Sequence, residues 1–419
     1  SRFMIKAVRG TRDILPPSSA VWNHVEAVAR QVFRSYNFAE IRTPIFELTE
    51  LFARGVGTET DIVSKEMYTW DDRDGTSLTL RPECTASVIR ACIEHRLEQL
   101  PGLKKFFYLG PMFRRERPQK GRFRQFSQIG AEVIGSESPA IDAELIEMVL
   151  EVLTRCGVDQ PHLVINSVGC PICRPAFIET LRQRLQEVKG GMCEDCQRRA
   201  ESNALRVLDC KVPEDQPIID NLPSILDHLG SECATHFATV RALLDARDIR
   251  YEIRPRLVRG LDYYTKTTFE VLHGALGAQN SVLGGGRYDG LAESLGSRVP
   301  LPGIGFSIGE DRLVMTIEER LDAASLSPLD LYVVPMGAEA VRHAAVLARD
   351  LRRAGVVVEV STDAKVKRAL ELANKLNARY ALLLGDNEIA AGVYALKDMA
   401  ATEQRNVTRE ELFAALSRR

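Results

Sequence analysis

Residues 110–135 read GPMFRRERPQKGRFRQFSQIGAEVIG, and this stretch decides the fold of the chain. The residues at 108–113 are apolar and β-prone, and apolar residues alternate with polar ones at 126–133. Pro118 and Gly121 predict a turn between the two runs. Arginines and lysines crowd around that turn, so the pattern predicts an antiparallel hairpin with a basic tip.

The residues on either side of the turn form a signature, in which Phe113, Arg114 and Glu116 end the first run and Phe126 begins the second. They resemble motif 2 of the class II aminoacyl-tRNA synthetases. The sequences RPQKGRFRQF and QIGAE are similar to those of histidyl-tRNA synthetases in particular. The resemblance implies that Arg114 stabilises the α-phosphate of ATP and that Glu116 and Phe126 help to bind ATP. It assigns four loop residues to the tRNA acceptor end: Arg117, Gln119, Lys120 and Arg122. A solvated charged loop is the alternative.

Length and composition limit the possible classes of protein. A chain of 419 residues is long enough for two or three domains. The formal net charge of −2 neither supports nor excludes RNA binding, because a local basic groove suffices. Apolar runs are too short for a transmembrane helix or a signal peptide, so we expect no membrane partner and a cytoplasmic location. In a cytoplasmic protein, the nine cysteines are expected to be reduced thiols or metal ligands.

An amphipathic pattern near the N-terminus predicts a helix, because Val21, Val25 and Val32 recur at helical spacing. The sequence FAEIRTP that follows predicts a short strand stopped by Pro44. Helix, strand and proline resemble class II motif 1, which in that family forms the dimer interface. The resemblance implies a homodimer, although a helix followed by a strand is commonplace by itself.

The sequence TLRPECTA at 79–86 places Glu83 and Thr85 after a β-prone run. A lone glutamate there is most often an exposed turn residue. In histidyl-tRNA synthetases this motif forms the floor of the amino-acid pocket. The resemblance therefore implies that Glu83 and Thr85 bind the α-ammonium group of histidine. An ammonium group needs acceptors only, so the chemistry agrees. Gln128 and Glu132 are an even number of residues apart and point to one face, and the resemblance adds them to the histidine pocket.

Two further peptides are RGLDYY at 259–264 and GGGRYDG at 284–290. The first could be an aromatic core strand, but both resemble peptides peculiar to histidyl-tRNA synthetases. The resemblance implies that Arg259 contacts the substrate carboxylate and the α-phosphate. A guanidinium group suits both contacts, because it is permanently charged and can donate to two oxygens at once. It also implies that Tyr264 hydrogen-bonds the imidazole and that Tyr288 closes the imidazole pocket.

The sequence PGIGFSIGEDRL at 302–313 predicts a glycine-rich strand that leads into a helix, and it resembles class II motif 3. The resemblance implies that Arg312 and Phe126 sandwich the adenine of ATP, with a cation–π contact on one face. The glycine spacing fails the G-x-G-x-x-G fingerprint of dinucleotide-binding folds. The GGGR stretch lacks the G-K-[ST] ending of a Walker A loop.

A charged segment from about 170 to 255 has helical patterns and few strand signals, which predicts an inserted helical subdomain. Histidyl-tRNA synthetases carry such an insertion, where it helps to hold the tRNA acceptor arm. Its two C-x-x-C pairs, with residues 174–192 between them, are close to the spacing of zinc ribbons. The four thiolates of this possible zinc site are Cys170, Cys173, Cys193 and Cys196. Buried thiols without metal are the alternative, since the resembled family as a whole does not require zinc.

After a turn-rich linker near 323–328, strand and helix patterns alternate, which predicts a small α/β domain. This domain resembles the anticodon-binding domain of the same synthetase subclass. One predicted helix is basic and would offer charge to RNA phosphates, although a solvated helix face would look the same. Its basic residues are Lys365, Lys367, Arg368, Lys375 and Arg379.

Together these features predict an α+β fold. We expect a class II antiparallel-sheet catalytic domain over 1–325, with the helical insertion at about 170–255, and a C-terminal α/β anticodon-binding domain over 326–419. The resemblance implies that histidine and ATP with Mg²⁺ form histidyl-adenylate, which then charges tRNA(His). Arg114 and Arg259 are the catalytic residues that it implies.

Two alternatives would share this fold without aminoacylation. The histidyl-synthetase-like regulatory subunit of ATP phosphoribosyltransferase normally lacks the C-terminal domain and departs from the arginine positions. A synthetase-like RNA sensor is expected to show eroded signatures. The chain retains Arg114, Arg259 and Arg312 and both histidine peptides, which favours the enzyme.

Overall fold

The structure is a computed structural model that describes residues 4–277, 280–363 and 365–417. The chain divides into two compact units. The first consists of Ser1–Leu15 and Val21–Leu321, and the second of Pro16–Ala20 and Asp322–Arg419. The boundary expected from the sequence lies between 325 and 326. No helix within the described ranges has both the length and the apolar character needed to cross a membrane.

Two antiparallel-rich sheets form the first unit. Its strands are β1 (Ala39–Glu40), β2 (Phe46–Leu48), β3 (Thr69–Asp71), β4 (Ser77–Leu80), β5 (Lys104–Phe113), β6 (Gln125–Ile134), β7 (His162–Ser167), β8 (Glu252–Ile253), β9 (Thr265–Leu272), β10 (Ser281–Arg287) and β11 (Gly303–Gly309). Eight of them form one sheet in the order β1-β5-β6-β11-β10-β9-β7-β8, and the others form a small sheet in the order β2-β4-β3. In the large sheet, β1 with β5 and β7 with β8 are parallel, and the other pairs are antiparallel.

The hairpin expected around 110–135 is confirmed. Strands β5 and β6 pair from Lys104 opposite Ile134 to Phe113 opposite Gln125. The loop between them ends in a tight turn with Gly121 at φ 75°, a left-handed conformation that glycine adopts without steric cost. The hairpin therefore supplies two adjacent strands of the sheet, next to the edge strand β1, and carries the basic loop beyond them.

Helices cover the sheets of the first unit. Those that begin before residue 321 are α1 (Ser18–Ser35), α2 (Thr49–Gly55), α3 (Thr85–Glu94), α4 (Pro139–Cys156), α5 (Arg174–Val188), α6 (Glu194–Ser202), α7 (Gln216–Asp220), α8 (Ser231–Asp245), α9 (Leu291–Ser294) and α10 (Glu310–Ile317). Ile141, Leu145 and Val149 recur at helical spacing, which predicts a helix at 140–156, and the structure contains it as α4. The Ser138 side chain caps it by accepting the N–H of Ala140, and Gly157 ends it at φ 91°.

The segment expected as an inserted helical subdomain is helical, but it is not a separate compact unit. Its helix α8 packs along α4, and its last strand β8 extends the large sheet beside β7. Phe177 and Leu181 of α5 belong to the same apolar cluster as Phe52 and Ile89. The insertion and the catalytic sheet therefore share one core.

The second unit is an α/β layer structure, as the sequence predicts. Its strands and helices are α11 (Ala323–Leu326), β12 (Leu329–Pro335), α12 (Ala338–Arg353), β13 (Val358–Val360), α13 (Val366–Lys375), β14 (Ala378–Leu384), α14 (Asp386–Ala391), β15 (Tyr394–Asp398), β16 (Gln404–Val407) and α15 (Arg409–Leu416). The sheet order is β13-β12-β14-β15-β16, with the first three strands parallel. Leu331 of β12 packs with α12, and the next residue, Tyr332, packs with α13, because successive strand side chains point to opposite faces.

Candidate active site

A small pocket and a large cavity lie beside the large sheet and have Arg259 as a common wall. The sequence-predicted residues around the small pocket are Glu83, Thr85, Arg114, Gln128, Tyr264 and Tyr288. The large cavity has a volume of about 840 Å³ and includes Arg122, Glu270 and Arg312 in its wall. The fold thus brings together residues as far apart in the chain as Glu83 and Tyr288.

Glu83 lies at the N-terminus of α3 and is 4% exposed. Its carboxylate accepts the backbone N–H of Thr85 at 2.8 Å and that of Ala86 at 3.0 Å, and the hydroxyl of Tyr263 at 3.2 Å. Burial raises the pKa of Glu83, and the backbone donors oppose that shift. A ligand cation beside Glu83 would favour its charged form, which is what an ammonium group supplies.

Glu132 lies beneath the small pocket and is fully buried. Its Oε1 accepts the Thr85 hydroxyl at 2.7 Å and the Tyr108 hydroxyl at 3.1 Å, and its Oε2 accepts the Tyr288 hydroxyl at 2.5 Å. Burial raises the pKa of Glu132 from 4.5 to about 8. The sequence predicts that Glu132 lines the pocket. In this structure the carboxylate oxygens of Glu132 are covered by the side chains of Thr85 and Tyr288. Glu132 is more buried than Gln128, which lies on the same strand and lines the pocket.

Two glycines leave room for the charged side chains of the site. A Cβ atom on Gly305 would lie 1.6 Å from Oε2 of Glu132, and one on Gly284 would lie 1.5 Å from Nη1 of Arg259. Neither distance is physically possible for a real side chain. The glycine-rich strands β10 and β11 are therefore a steric requirement of the site.

Arg259 contacts Glu270 on β9 and Tyr264, the residue directly before β9. Its Nη1 donates to Oε1 of Glu270 at 2.9 Å, and its guanidinium lies 5.7 Å from the ring centre of Tyr264. Its Nε is buried and has no hydrogen-bond partner within the described part of the chain. An unpaired buried donor is costly, so a ligand oxygen at this point would be strongly stabilised.

Within the ranges that the structure describes, Gln128 has a buried acceptor without a hydrogen-bond partner, whereas Arg259 has a buried donor without one. It lines the small pocket, is 8% exposed, and its Oε1 has no hydrogen-bond partner among the described residues. An amide oxygen accepts hydrogen bonds. The residues that line the pocket therefore include a buried unsatisfied acceptor on Gln128 and a buried unsatisfied donor on Arg259.

The residues assigned to ATP lie around the base of the hairpin. The Nε of Arg114 donates to the carbonyl of Pro82 at 2.9 Å, and its guanidinium lies 5.2 Å from the ring centre of Phe126. Glu116 is 3.9 Å from Arg114. Arg312 donates from Nη1 to the carbonyl of Ser281 at 2.8 Å in the wall of the large cavity. An adenine sandwich between Phe126 and Arg312 stays a prediction.

The four residues assigned to the tRNA acceptor end separate into two positions. Arg117, Gln119 and Lys120 are exposed on the hairpin loop. Arg122 is half-buried, donates from Nη1 to Glu116 at 3.3 Å, and lines the large cavity. Arg122 thus lies nearer to the predicted nucleotide site than the sequence suggested.

The single zinc site expected from the two C-x-x-C pairs is wrong in its composition. Cys170 and Cys173 group with Cys233, whereas Cys193 and Cys196 belong to a different group. The Sγ atom of Cys173 is 3.7 Å from that of Cys170 and 3.8 Å from that of Cys233. The pairs separate because α5 and α8 enclose the first one and the turns around α6 enclose the second.

Sequence reasoning missed two residues of the site. Tyr263 is adjacent to Tyr264, and its hydroxyl donates to Glu83, so both tyrosines of the pair serve the pocket. Glu270 anchors Arg259 from β9. The single acidic residue in the strand TKTTFEVL was the available signal, because a charge in a strand of the sheet needs a partner.

A family model for histidyl-tRNA synthetase matches residues 10–313, most of the chain. The chain belongs to the histidyl-tRNA synthetase family. A model of the anticodon-binding domain matches residues 330–419.

Individual members of the histidyl-tRNA synthetase family are similar over their full length. The histidine–tRNA ligase of Solibacter usitatus is 68% identical and that of Koribacter versatilis is 56% identical. These matches cover 99% of this chain and 99% of the first relative, and 98% of this chain and 95% of the second. The apo histidyl-tRNA synthetase of S. aureus is 37% identical, with a TM-score of 0.81 over 99% of this chain and 100% of that one.

Membership of the histidyl-tRNA synthetase family confirms the predicted fold class. It also favours the ligase over the regulatory-subunit alternative, because the matches include both the catalytic part and the anticodon-binding part. The roles of individual residues remain predictions, and the geometry above supports some of them more strongly than others.

Proposed function

We propose that the chain activates L-histidine with ATP, as its magnesium complex, to histidyl-adenylate and then transfers the histidyl group to the 3′ end of tRNA(His). The observation that carries the proposal is the position of Arg259, which lines both the small pocket and the large cavity. A reaction that joins an amino acid to a nucleotide needs two such sites with a permanent cation at their junction.

Histidine would occupy the small pocket. Its ammonium group would lie near Glu83, Thr85 and Gln128, whose oxygens are acceptors. Tyr264 and Tyr288 would contact the imidazole, and Glu132 would act on it through Tyr288, whose hydroxyl donates to Glu132.

Specificity would follow from the burial of these polar groups. A substrate without ring nitrogens would form no hydrogen bond with these groups and would gain none of their binding energy. Such a pocket can reject analogues by about 10⁴–10⁵ without proofreading.

ATP would occupy the large cavity. The histidine carboxylate would attack the α-phosphorus, pyrophosphate would leave, and no general base is needed because the nucleophile is already charged. Arg259 and Arg114 would stabilise the negative charge that develops on the α-phosphate. Phe126 and Arg312 would hold the adenine and Glu116 would orient Arg114, with which it is already in contact.

The terminal adenosine of tRNA would then approach from the hairpin side. One of its ribose hydroxyls would attack the carbonyl carbon of the adenylate, and AMP would leave. The exposed Arg117, Gln119 and Lys120 support contact with the acceptor end, and Arg122 could reach into the cavity behind them. The basic side chains on and around α13 are also exposed, which supports phosphate binding by the second unit.

A homodimer is part of the proposal. Exposed apolar side chains lie on the small sheet and immediately before its strand β2, which follows β1, the strand that resembles motif 1. They are Ile45, Phe46, Leu48 and Trp70, with exposed fractions of 43%, 53%, 53% and 41%. The rings of Phe46 and Trp70 are neighbours, with centres 6.0 Å apart, and exposed apolar groups of this kind are typical of a protein interface. The proposed location is the cytoplasm, because all nine cysteines are free, as expected in a reducing compartment.

Histidine-dependent exchange of pyrophosphate into ATP tests the proposal. We expect exchange by the purified parent protein and an exchange rate on the order of 10²–10³ lower for Arg259→Ala, with little change in histidine affinity. Arg182→Ala is the matched control, because Arg182 is exposed on α5 and lies outside both cavities. Absence of exchange by the parent would overturn the proposed activity, and an unchanged rate in Arg259→Ala would overturn the role of Arg259.

A further inference from the structure

Three cysteines and one aspartate converge in the helical part of the first unit, although they come from two short segments. Cys193 precedes α6 and Cys196 lies in its first turn, while Cys210 and Asp215 lie between α6 and α7. Their three Sγ atoms and one carboxylate oxygen all lie within 4.8 Å of one another. Cys193 is half-buried and the other three residues are buried.

Two distances within this cluster match those of a tetrahedral metal site. With zinc–sulfur bonds of about 2.3 Å and zinc–oxygen bonds of about 2.0 Å, a tetrahedron separates two sulfurs by about 3.8 Å and sulfur from oxygen by about 3.5 Å. The Sγ atoms of Cys193 and Cys210 are 3.9 Å apart, and Sγ of Cys210 is 3.3 Å from Oδ2 of Asp215. An ion could therefore enter with little movement of its ligands.

Backbone groups already orient the ligand atoms. The N–H of Cys193 donates to Oδ1 of Asp215 at 3.1 Å and to Oδ2 at 3.2 Å. The N–H of Val212 donates to Sγ of Cys210 at 3.4 Å. Hydrogen bonds of this type hold metal ligands in place and offset their negative charge.

We propose that Cys193, Cys196, Cys210 and Asp215 form a structural zinc site. Three thiols would each lose a proton as three zinc–sulfur bonds and one zinc–oxygen bond form, so that the four anionic ligands and Zn²⁺ have a net charge of about −2, as in four-thiolate sites. Thiolate-rich tetrahedral sites select zinc over the hard cations. Four protein ligands leave no open position, which makes the role structural rather than catalytic.

The site has a direct structural connection to the large cavity. Cys210 lies between Asp209 and Lys211, and both of these neighbours line that cavity. Zinc on Cys210 would therefore fix one wall of the proposed nucleotide site. The inference rests on the cluster alone and would stand if the proposed activity were absent.

The experiment measures metal in the full-length chain, purified without chelator or metal-affinity resin. We expect about one zinc per chain by elemental analysis. We also expect an anomalous peak at the zinc edge within about 2.3 Å of the three sulfurs of the cluster in crystals of the parent protein. Replacement of zinc by Co²⁺ should give the visible absorption of a tetrahedral thiolate site. These readouts do not require any variant to fold.

Variants then assign the ligands. Cys210→Ser and Asp215→Asn should lower the zinc content severalfold, whereas Cys233→Ser should not, because Cys233 belongs to the other cysteine group. A parent protein that stays free of zinc after anaerobic incubation with Zn²⁺ would overturn the site. Loss of zinc in Cys233→Ser with retention in Cys210→Ser would overturn the assignment of ligands.

Discussion

At the scale of single residues, Glu132 shows how burial changes the chemistry of a side chain. Three hydroxyl groups surround its carboxylate in place of water, from Thr85, Tyr108 and Tyr288. They do not compensate fully for lost hydration, so its pKa is raised to about 8. A carboxyl group that is neutral near pH 7 is poised to respond when a cationic or hydrogen-bonding ligand arrives.

This shift predicts a pH dependence of stability. Between pH 4.5 and about 8, the folded chain keeps a proton on Glu132 that the unfolded chain has lost. The contribution of Glu132 to stability is therefore fully present below the lower value and is lost as the pH rises through the higher one. Glu132→Gln cannot ionise. We expect the free energy of unfolding of the parent, relative to Glu132→Gln, to fall between about pH 5 and about pH 8.5.

Urea unfolding at several pH values would measure that difference. The pKa of Glu83 is also raised by burial, but Glu83 is present in both proteins, so most of its effect cancels. A difference that stays constant over the range would show that Glu132 ionises normally in the folded state. Because glutamine has nearly the same size and shape as glutamate, Glu132→Gln creates no cavity that would itself change the stability.

At the scale of secondary-structure elements, strand β10 positions Arg259 by having no side chain at Gly284. We expect Gly284→Ala to displace the Arg259 guanidinium and to slow pyrophosphate exchange on the order of 10²-fold, close to the effect of removing Arg259 itself. Gly290→Ala is the matched control, because a Cβ atom there would have no heavy atom within 4 Å. Exchange rates for both variants, with circular dichroism as a test of folding, decide the question. Normal exchange by Gly284→Ala would mean that Arg259 has room to move.

The hairpin loop is the second element with a separable role. We expect the double variant Arg117→Ala/Lys120→Ala to slow transfer of histidine to tRNA while leaving pyrophosphate exchange intact, because both side chains are exposed and neither lines a cavity. Loss of two phosphate contacts should also reduce the dependence of tRNA binding on salt. Single-turnover transfer rates, measured with preformed adenylate, test this. An equal loss of exchange would assign the loop to ATP instead.

At the scale of the whole molecule, the apolar surface of the small sheet predicts self-association. A charge at Phe46 would have to be buried in a dimer, at a cost of several kcal/mol. We therefore expect Phe46→Asp to shift the chain from dimer to monomer in analytical ultracentrifugation. Val299→Asp introduces the same charge at a site that is 43% exposed outside the small sheet, and it should leave the dimer unchanged. A parent protein that is monomeric at micromolar concentration would refute the dimer directly.

The sequence by itself determined the local framework of this protein. The β5–β6 hairpin, helix α4 and the alternation of strands and helices after 328 follow from turn residues and from periods of two and 3.6 residues, which are properties of neighbours in the chain. The peptides RGLDYY and GGGRYDG also identified side chains that line the pocket, because glycine, arginine and tyrosine are used there for steric and chemical reasons that short motifs preserve.

Only the tertiary structure decided which distant residues share a site. The two C-x-x-C pairs have the same local spacing, yet one joins Cys233 and the other joins Cys210 and Asp215. Glu132 likewise has Thr85, 47 residues away, and Tyr288, 156 residues away, as partners. The entropy of closing a loop grows only slowly with its length, so separation along the chain says little about which groups meet. The packing of the whole sheet and its helices selects those partners, and no local pattern contains that information.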